Sequence, residues 1–123
     1  MKEPTAELLL QGEPIAMMRP RLGRGHTYNP QSREKKQVQR EIGALWPGKP
    51  LETPLNISFV FGVSRDNRDI DNMCKFYLDA MQGIVFKNDL QVKILGACKV
   101  KRGKIEPFTL IGIEEMGWKV EEV

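Results

Sequence analysis

Cysteine and histidine are scarce in this chain. Its 123 residues include two cysteines, Cys74 and Cys98, and one histidine, His26. Neither cysteine belongs to a CxxC pair, so a zinc site, which needs clustered thiolate or imidazole ligands, is excluded. Two cysteines also make no disulfide framework. Both are expected as reduced thiols, Cys74 on a helix and Cys98 in a strand. No apolar run approaches the roughly 18 residues of a membrane span, and no N-terminal stretch has the length of a signal peptide. A cytoplasmic protein without membrane contact is expected. Internal repeats and low-complexity segments are absent as well. Gly23 and Gly25 are followed by neither a third glycine nor a Lys-Ser/Thr pair, which excludes the common phosphate-binding glycine loops.

Acidic residues are missing from one region in particular. Between Arg19 and Arg40 there are seven Lys or Arg and a single acid, Glu34. The last ten residues reverse the balance, with Glu114, Glu115, Glu121 and Glu122 against Lys119. The formal net charge is +3, so the asymmetry matters more than the total. A basic patch of this kind favours a polyanionic partner through counterion release, although a merely solvated surface is the plainer alternative. The length and the 41% apolar content describe one ordinary domain spanning residues 1–123, large enough to bury a core without covalent staples.

Periodicity gives the outline. Ala6 to Gln11 is a short apolar run that predicts a first strand. Glu13 to Ser32 is broken by Pro14, Pro20, Gly23, Gly25 and Pro30, which predicts a loop carrying Arg19, Arg21 and Arg24. Ser32 is positioned to cap a helix running to about Trp46, with Val38, Ile42, Leu45 and Trp46 as its apolar stripe and with Arg33, Lys35, Lys36 and Arg40 elsewhere on its surface. Leu55, Ile57, Phe59, Phe61 and Val63 alternate cleanly, the clearest strand signal in the chain. After a charged turn from Ser64 to Arg68, a second helix is predicted from about Asp69–Asn72 to Gln82, with Met73, Tyr77, Ala80 and Met81 facing the core. Val92 to Lys101 predicts a strand, Gly103 a hairpin turn, and Pro107 to Glu114 the last strand. The order β-α-β-α-β-β implies an α+β fold, a mixed sheet with helices packed on one face.

Within this outline one short window concentrates carboxylates. Asp69, Asp71 and Lys75 stand at the start of the second helix, Asp79 further along it, and Asn88-Asp89 beyond its end. Aspartates at this density repel one another unless a cation neutralises them. If the backbone is extended there, Asp69 and Asp71 point the same way with Cα atoms about 7 Å apart, a spacing that a divalent ion can bridge. Lys75 follows Asp71 at i, i+4, one helical turn on. The same residues also read as helix caps and an ordinary surface ion pair. An EF-hand is excluded, because its glycine position would fall on Cys74 and its terminal glutamate on Ala80.

The pattern Asp69-x-Asp71-Asn72-x-x-Lys75-x-x-x-Asp79-Ala80, followed by Asn88-Asp89-x-x-Val92, resembles the RusA family of Holliday junction resolvases. Arg19-Pro20-Arg21 and Thr27-Tyr28-Asn29-Pro30 look like that family's basic loop, and Ile113 to Gly117 looks like its ending. The resemblance implies a bacterial endodeoxyribonuclease, often prophage-encoded. It further implies a homodimer with a RusA-like mixed sheet, dependent on Mg2+ or Mn2+ and on no small organic cofactor, that places paired nicks in a four-way DNA junction. By motif position, Asp69, Asp71 and Asp89 become the metal-binding and catalytic carboxylates and Lys75 the catalytic lysine. Asn88 departs from relatives that carry two acids before the strand. Arg19, Arg21, Arg24, Arg33, Lys36 and Arg68 are the expected DNA-binding side chains. Phe108, Leu110 and Trp118 can serve a dimer interface or the core. Two other readings compete: a non-catalytic DNA-binding module, in which the aspartates are caps, and a metal-dependent phosphohydrolase of small phosphate esters.

Overall fold

The computed structural model of the chain describes residues 4–18, 21–23, 26–28, 31–101, 103 and 106–117. In chain order its elements are β1 (Pro4–Gln11), the short strands β2 (Arg21–Gly23) and β3 (His26–Tyr28), and α1 (Ser32–Leu45). They continue with β4 (Leu55–Val63), α2 (Ile70–Met81), a 3-10 turn at Asp89–Gln91, β5 (Val92–Lys101) and β6 (Phe108–Glu115). The main sheet has the order β1-β6-β4-β5. It is mixed: β5 runs parallel to β4, whereas β6 is antiparallel to both β4 and β1. The long elements keep the expected β-α-β-α-β-β order.

β4 lies at the centre because its alternation lets one face disappear into the core. Leu55, Ile57, Phe59, Phe61 and Val63 are all buried. Ile57 and Phe59 stand in register with Ile113 and Ile111 of β6, which in turn face Ala6 and Leu8 of β1. The helices cover this face. α2 contributes Met73, Cys74, Phe76, Tyr77, Ala80 and Met81, a broader stripe than its periodicity alone marked out. Phe59 and Phe61 stack at 5.2 Å, Tyr77 leans against both, and Phe76 meets Tyr77 edge-on at 5.1 Å. The Tyr77 hydroxyl accepts the Ile15 N–H at 3.0 Å, which fixes the chain leaving β1 onto α2. α1 buries only Val38 and Ile42, while Leu45, expected in the stripe, is exposed. On the other face, the Phe108 ring lies over Gly62, where a Cβ would come within 2.2 Å of a ring carbon.

Three expectations are corrected. Gly103 does not turn a hairpin, because β5 and β6 are not neighbours: β4 lies between them and the connection crosses it. The segment expected to be a loop contains the β2–β3 pair, Arg21 opposite Tyr28 and Gly23 opposite His26; glycine breakers in the sequence hid a strand pair too short to show alternation. Ser32 is the first helical residue, not the cap. Gln31 holds the cap position without capping. Its buried side chain instead accepts the Met18 N–H and donates to the Ala16 carbonyl, both at 2.7 Å.

Candidate active site

The turn between β4 and α2 is held from both sides of the sheet. After β1, Glu13 accepts the Ser64 hydroxyl at 2.7 Å and the Ser64 N–H at 3.0 Å, and its carboxylate stands 3.9 Å from the Arg68 guanidinium. Its slight burial pushes the Glu13 carboxyl up, but the Ser64 hydrogen bonds and the Arg68 charge outweigh that and leave it below its ordinary range. From β5, the Lys99 ammonium donates to Asp66 and, at 2.7 Å, to the Arg68 carbonyl. The bond and charge of Lys99, helped by Lys101, likewise hold Asp66 below the usual carboxylate range. A third tie links the Met17 N–H to the Asn72 carbonyl at 2.9 Å. None of Glu13, Asp66 and Lys99 was singled out from sequence. Lys99 stands in register with fully buried Phe61 of β4, a pairing that no local pattern in the sequence marks.

This turn delivers Asp69 to the N-cap position of α2 and Asp71 to its first turn. The locally extended geometry expected for the pair is not what forms, because the helix starts at Ile70, between them. Nor is Asp69 a side-chain cap: it makes no capping hydrogen bond and instead accepts the Asn72 amide at 3.2 Å. Both carboxylates are exposed at the positive end of the helix dipole. Lys75 stands where its spacing requires, with its Nζ 3.4 Å from Asp71 and both groups open to solvent. Asp79 is occupied by Lys35 of α1 at 2.6 Å, a helix-to-helix tie rather than part of the constellation. Burial, and then the charge of Asp71, raise the pKa of the neighbouring Cys74 thiol, which makes it a poor nucleophile.

Asp89 does not join them. Its N–H donates to Gln82 at 3.1 Å, and Gln82 is the C-cap of α2. Asp69 and Asp89 thus sit at opposite ends of a 12-residue helix, about 18 Å long at 1.5 Å per residue. Among the described residues no three acidic, Cys or His side chains gather as a metal site. The surroundings of Asp89 explain why Asn88 precedes it. The Asn88 side chain accepts the Leu90 N–H while the Gln91 side chain accepts the Asn88 N–H, a reciprocal cap of the 3-10 turn. The Gln91 amide then donates to the Leu51 and Thr53 carbonyls and fastens the turn to the start of β4.

Of the expected DNA-binding residues, Arg33 and Lys36 are exposed on α1. Arg68 lines a cleft of about 450 Å3 with Glu13 to Met18, Gln31 and Glu34. Arg19 and Arg24 fall outside the described residues, as does Trp118, and Arg21 lies on β2. Phe108 and Leu110 are half-buried on the sheet. A further cavity of about 340 Å3, floored by Tyr77 and Thr109, lies under α1 away from the aspartates.

Comparison with protein-family models matches residues 11–114 to endodeoxyribonuclease RusA. The chain belongs to the RusA family. Membership indicates Holliday junction endodeoxyribonuclease activity and binding of branched DNA. The match runs from the end of β1 to within β6, so it takes in the basic segment, both ends of α2 and the whole of β4. Resolvases of this family generally depend on a divalent metal. No curated protein matches the chain. Among the described residues no helix is long and apolar enough to cross a membrane.

Proposed function

We propose that this protein resolves four-way DNA junctions by metal-assisted hydrolysis, as a homodimer that places one nick in each of two opposing strands. The observation that carries the reading is the exposed group at the head of α2, Asp69, Asp71 and Lys75, inside a family match covering most of the chain. The donor set fits a hard cation: Mg2+ takes oxygen ligands, keeps several waters and commonly uses one or two carboxylates. Asp69 and Asp71 would hold it. When bound, such an ion activates water and offsets charge on the scissile phosphate.

The chain's own groups divide the remaining work. Asn72 orients the Asp69 carboxylate through its amide. The Lys75 ammonium, 3.4 Å from Asp71, would meet the non-bridging phosphate oxygens as their charge grows. The Glu13 and Lys99 clamps fix the approach to the helix, so the carboxylates are positioned before DNA arrives. Asp89 is too far away in its own chain. It enters as the third carboxylate of the other copy's site, which makes the dimer a condition of cutting as well as of paired nicking.

A labelled synthetic four-way junction tests this against linear duplex, with Mg2+ and with EDTA. The wild-type protein should cut the junction only with metal. Asp71→Asn and Asp89→Asn should each bind the junction and cut it on the order of a hundredfold more slowly or worse, the scale seen when a transition-state charge loses its partner. Mixed together, the two variants should regain a single nick, because a heterodimer then carries one site with both native carboxylates. A wild-type protein that ignores the junction, or an Asp71→Asn variant at full rate, overturns the proposal. Failure of the mixture returns Asp89 to its own chain.

A further inference from the structure

β6 carries one polar side chain where its alternation calls for an apolar one. Its buried residues are Thr109, Ile111 and Ile113, and Thr109 stands between Leu10 of β1 and Phe61 of β4 in the helix-covered row. Thr109 is 1% exposed, and its hydroxyl has no hydrogen-bond partner. Leaving a buried hydroxyl unpaired costs folding free energy, so the position asks for a reason. Thr109 lies with Tyr77 on the floor of the cavity of about 340 Å3 under α1. Burial pushes the Tyr77 phenol up; the nearby Thr109 hydroxyl and the Ile15 N–H ease it down, and the charges of Glu41 and Glu34 push it up again. The field of those two carboxylates therefore reaches the cavity floor.

The walls sort by chemistry. Leu10, Ile15 and Val38 supply apolar sides, and α1 presents Glu34, Gln37 and Glu41 at i, i+3 and i+7. Glu34 and Gln37 are exposed and Glu41 is half-buried, so these three mark the mouth. Glu41 accepts the Gln37 amide at 3.0 Å through one oxygen. Among the described residues three carboxylates line the cavity against one cation, Arg33. Glu13 already serves Ser64 and Arg68, which leaves Glu34 and Glu41 to set the sign of the mouth. An acidic rim repels phosphates and carboxylates and favours a cation. At about 30 Å3 per non-hydrogen atom, as for water, there is room for about ten such atoms. We propose that this cavity binds a small aliphatic amine whose far end carries a neutral polar group such as a hydroxyl. The ammonium stays at the mouth beside Glu34 and Glu41, where water still helps to solvate it. The methylenes lie along Leu10, Ile15 and Val38, and the neutral end gives Thr109 its missing hydrogen bond. The reverse orientation would bury the charge on the floor, which is far more costly.

Titration of the full chain, without DNA and followed by two-dimensional amide NMR, supplies the test. Aminopentanol should bind saturably at about millimolar concentration, the reach of so small a ligand, and should shift Ile15, Val38 and Thr109. Pentylamine, which lacks the hydroxyl, and pentanediol, which lacks the charge, should each bind about tenfold more weakly. Thr109→Val keeps the shape and removes the unpaired hydroxyl, so its urea midpoint should equal or exceed that of the wild type. It should bind aminopentanol as weakly as the wild type binds pentylamine, with its pentylamine affinity unchanged. Glu34→Gln/Glu41→Gln should weaken aminopentanol several-fold and leave pentanediol unaffected. No saturable binding, shifts centred on Asp69 to Lys75, or full aminopentanol affinity in folded Thr109→Val each overturn the proposal. The matched probes also decide it on the wild type alone: pentylamine or pentanediol binding as tightly as aminopentanol overturns it without any variant.

Discussion

β1 and β5 are the two edges of one sheet, and they are finished differently. In β1, Leu8 and Leu10 are buried under α1 while Glu7 and Leu9 face water. That is the alternation of a strand whose burial is complete within the chain. β5 has apolar residues on both faces and water on both. The difference teaches that exposure has to be read against composition. β5 leaves Ile94 and Leu95 half in water, apolar area that the β1 edge keeps covered at Leu8 and Leu10. The two edges also take opposite parts at the site. β1 leads into Glu13 and the basic segment, whereas β5 grows from Asp89 and sends back Lys99.

Single substitutions should separate the edges. Leu8→Ala removes a side chain that is 3% exposed and should lower folding stability by about 2–5 kcal/mol. Leu95→Ala should cost about 1 kcal/mol or less, because that side chain is already 47% exposed. Urea unfolding at two protein concentrations measures both. Equal losses in the monomer would mean that β5 is already covered in a single chain. Next in size is the basic segment beyond β1. Neutralising Arg19, Arg21 and Arg24 together should flatten the log–log salt dependence of junction binding by about three units if each meets one phosphate, with dimerisation unchanged. An unchanged slope would move DNA binding elsewhere, with Arg33, Lys36 and Arg68 the next residues to neutralise.

The smallest effect concerns the clamps that the two edges place on one turn. Glu13 and Asp66 are both held below their ordinary values of 4.5 and 3.8. Each therefore contributes stability that is present above those values and lost as pH falls through its lower folded value. Chemical denaturation of the wild-type protein and of a Glu13→Gln/Asp66→Asn variant should differ most at about pH 6, with the gap shrinking steadily as pH falls below about 4. A gap that persists in acid would assign the clamps to packing rather than to charge.

Much of this was legible in the sequence, and the rest was hidden for physical reasons. Alternation in β4 and the helical recurrence of Met73, Tyr77, Ala80 and Met81 marked the core, because burial itself imposes those periods. The Asp71–Lys75 pair follows from helical spacing alone. Strand order left no such trace. Nothing local distinguishes a β5 that turns back beside its successor from one separated from it by β4. The same blindness affected Asp89, near Asp71 in sequence and a helix length away in space. The extended Asp69–Asp71 backbone failed on a boundary, since helix onset at Ile70 is worth one or two residues of uncertainty from sequence. The clamps were invisible because Glu13, Ser64 and Lys99 meet only through tertiary structure.

The crossing of β5 to β6 has a consequence for biosynthesis. Among the described residues β1 pairs only with β6, and β4 needs β6 on one side and β5 on the other. The N-terminal strand of the sheet thus has no neighbour until Phe108–Glu115 has left the ribosome. Long-range pairing of this kind forms late and slowly. A nascent chain carries the head of α2 well before it carries a sheet to support it, so the aspartates emerge early but acquire their fixed orientation only when translation has passed β6.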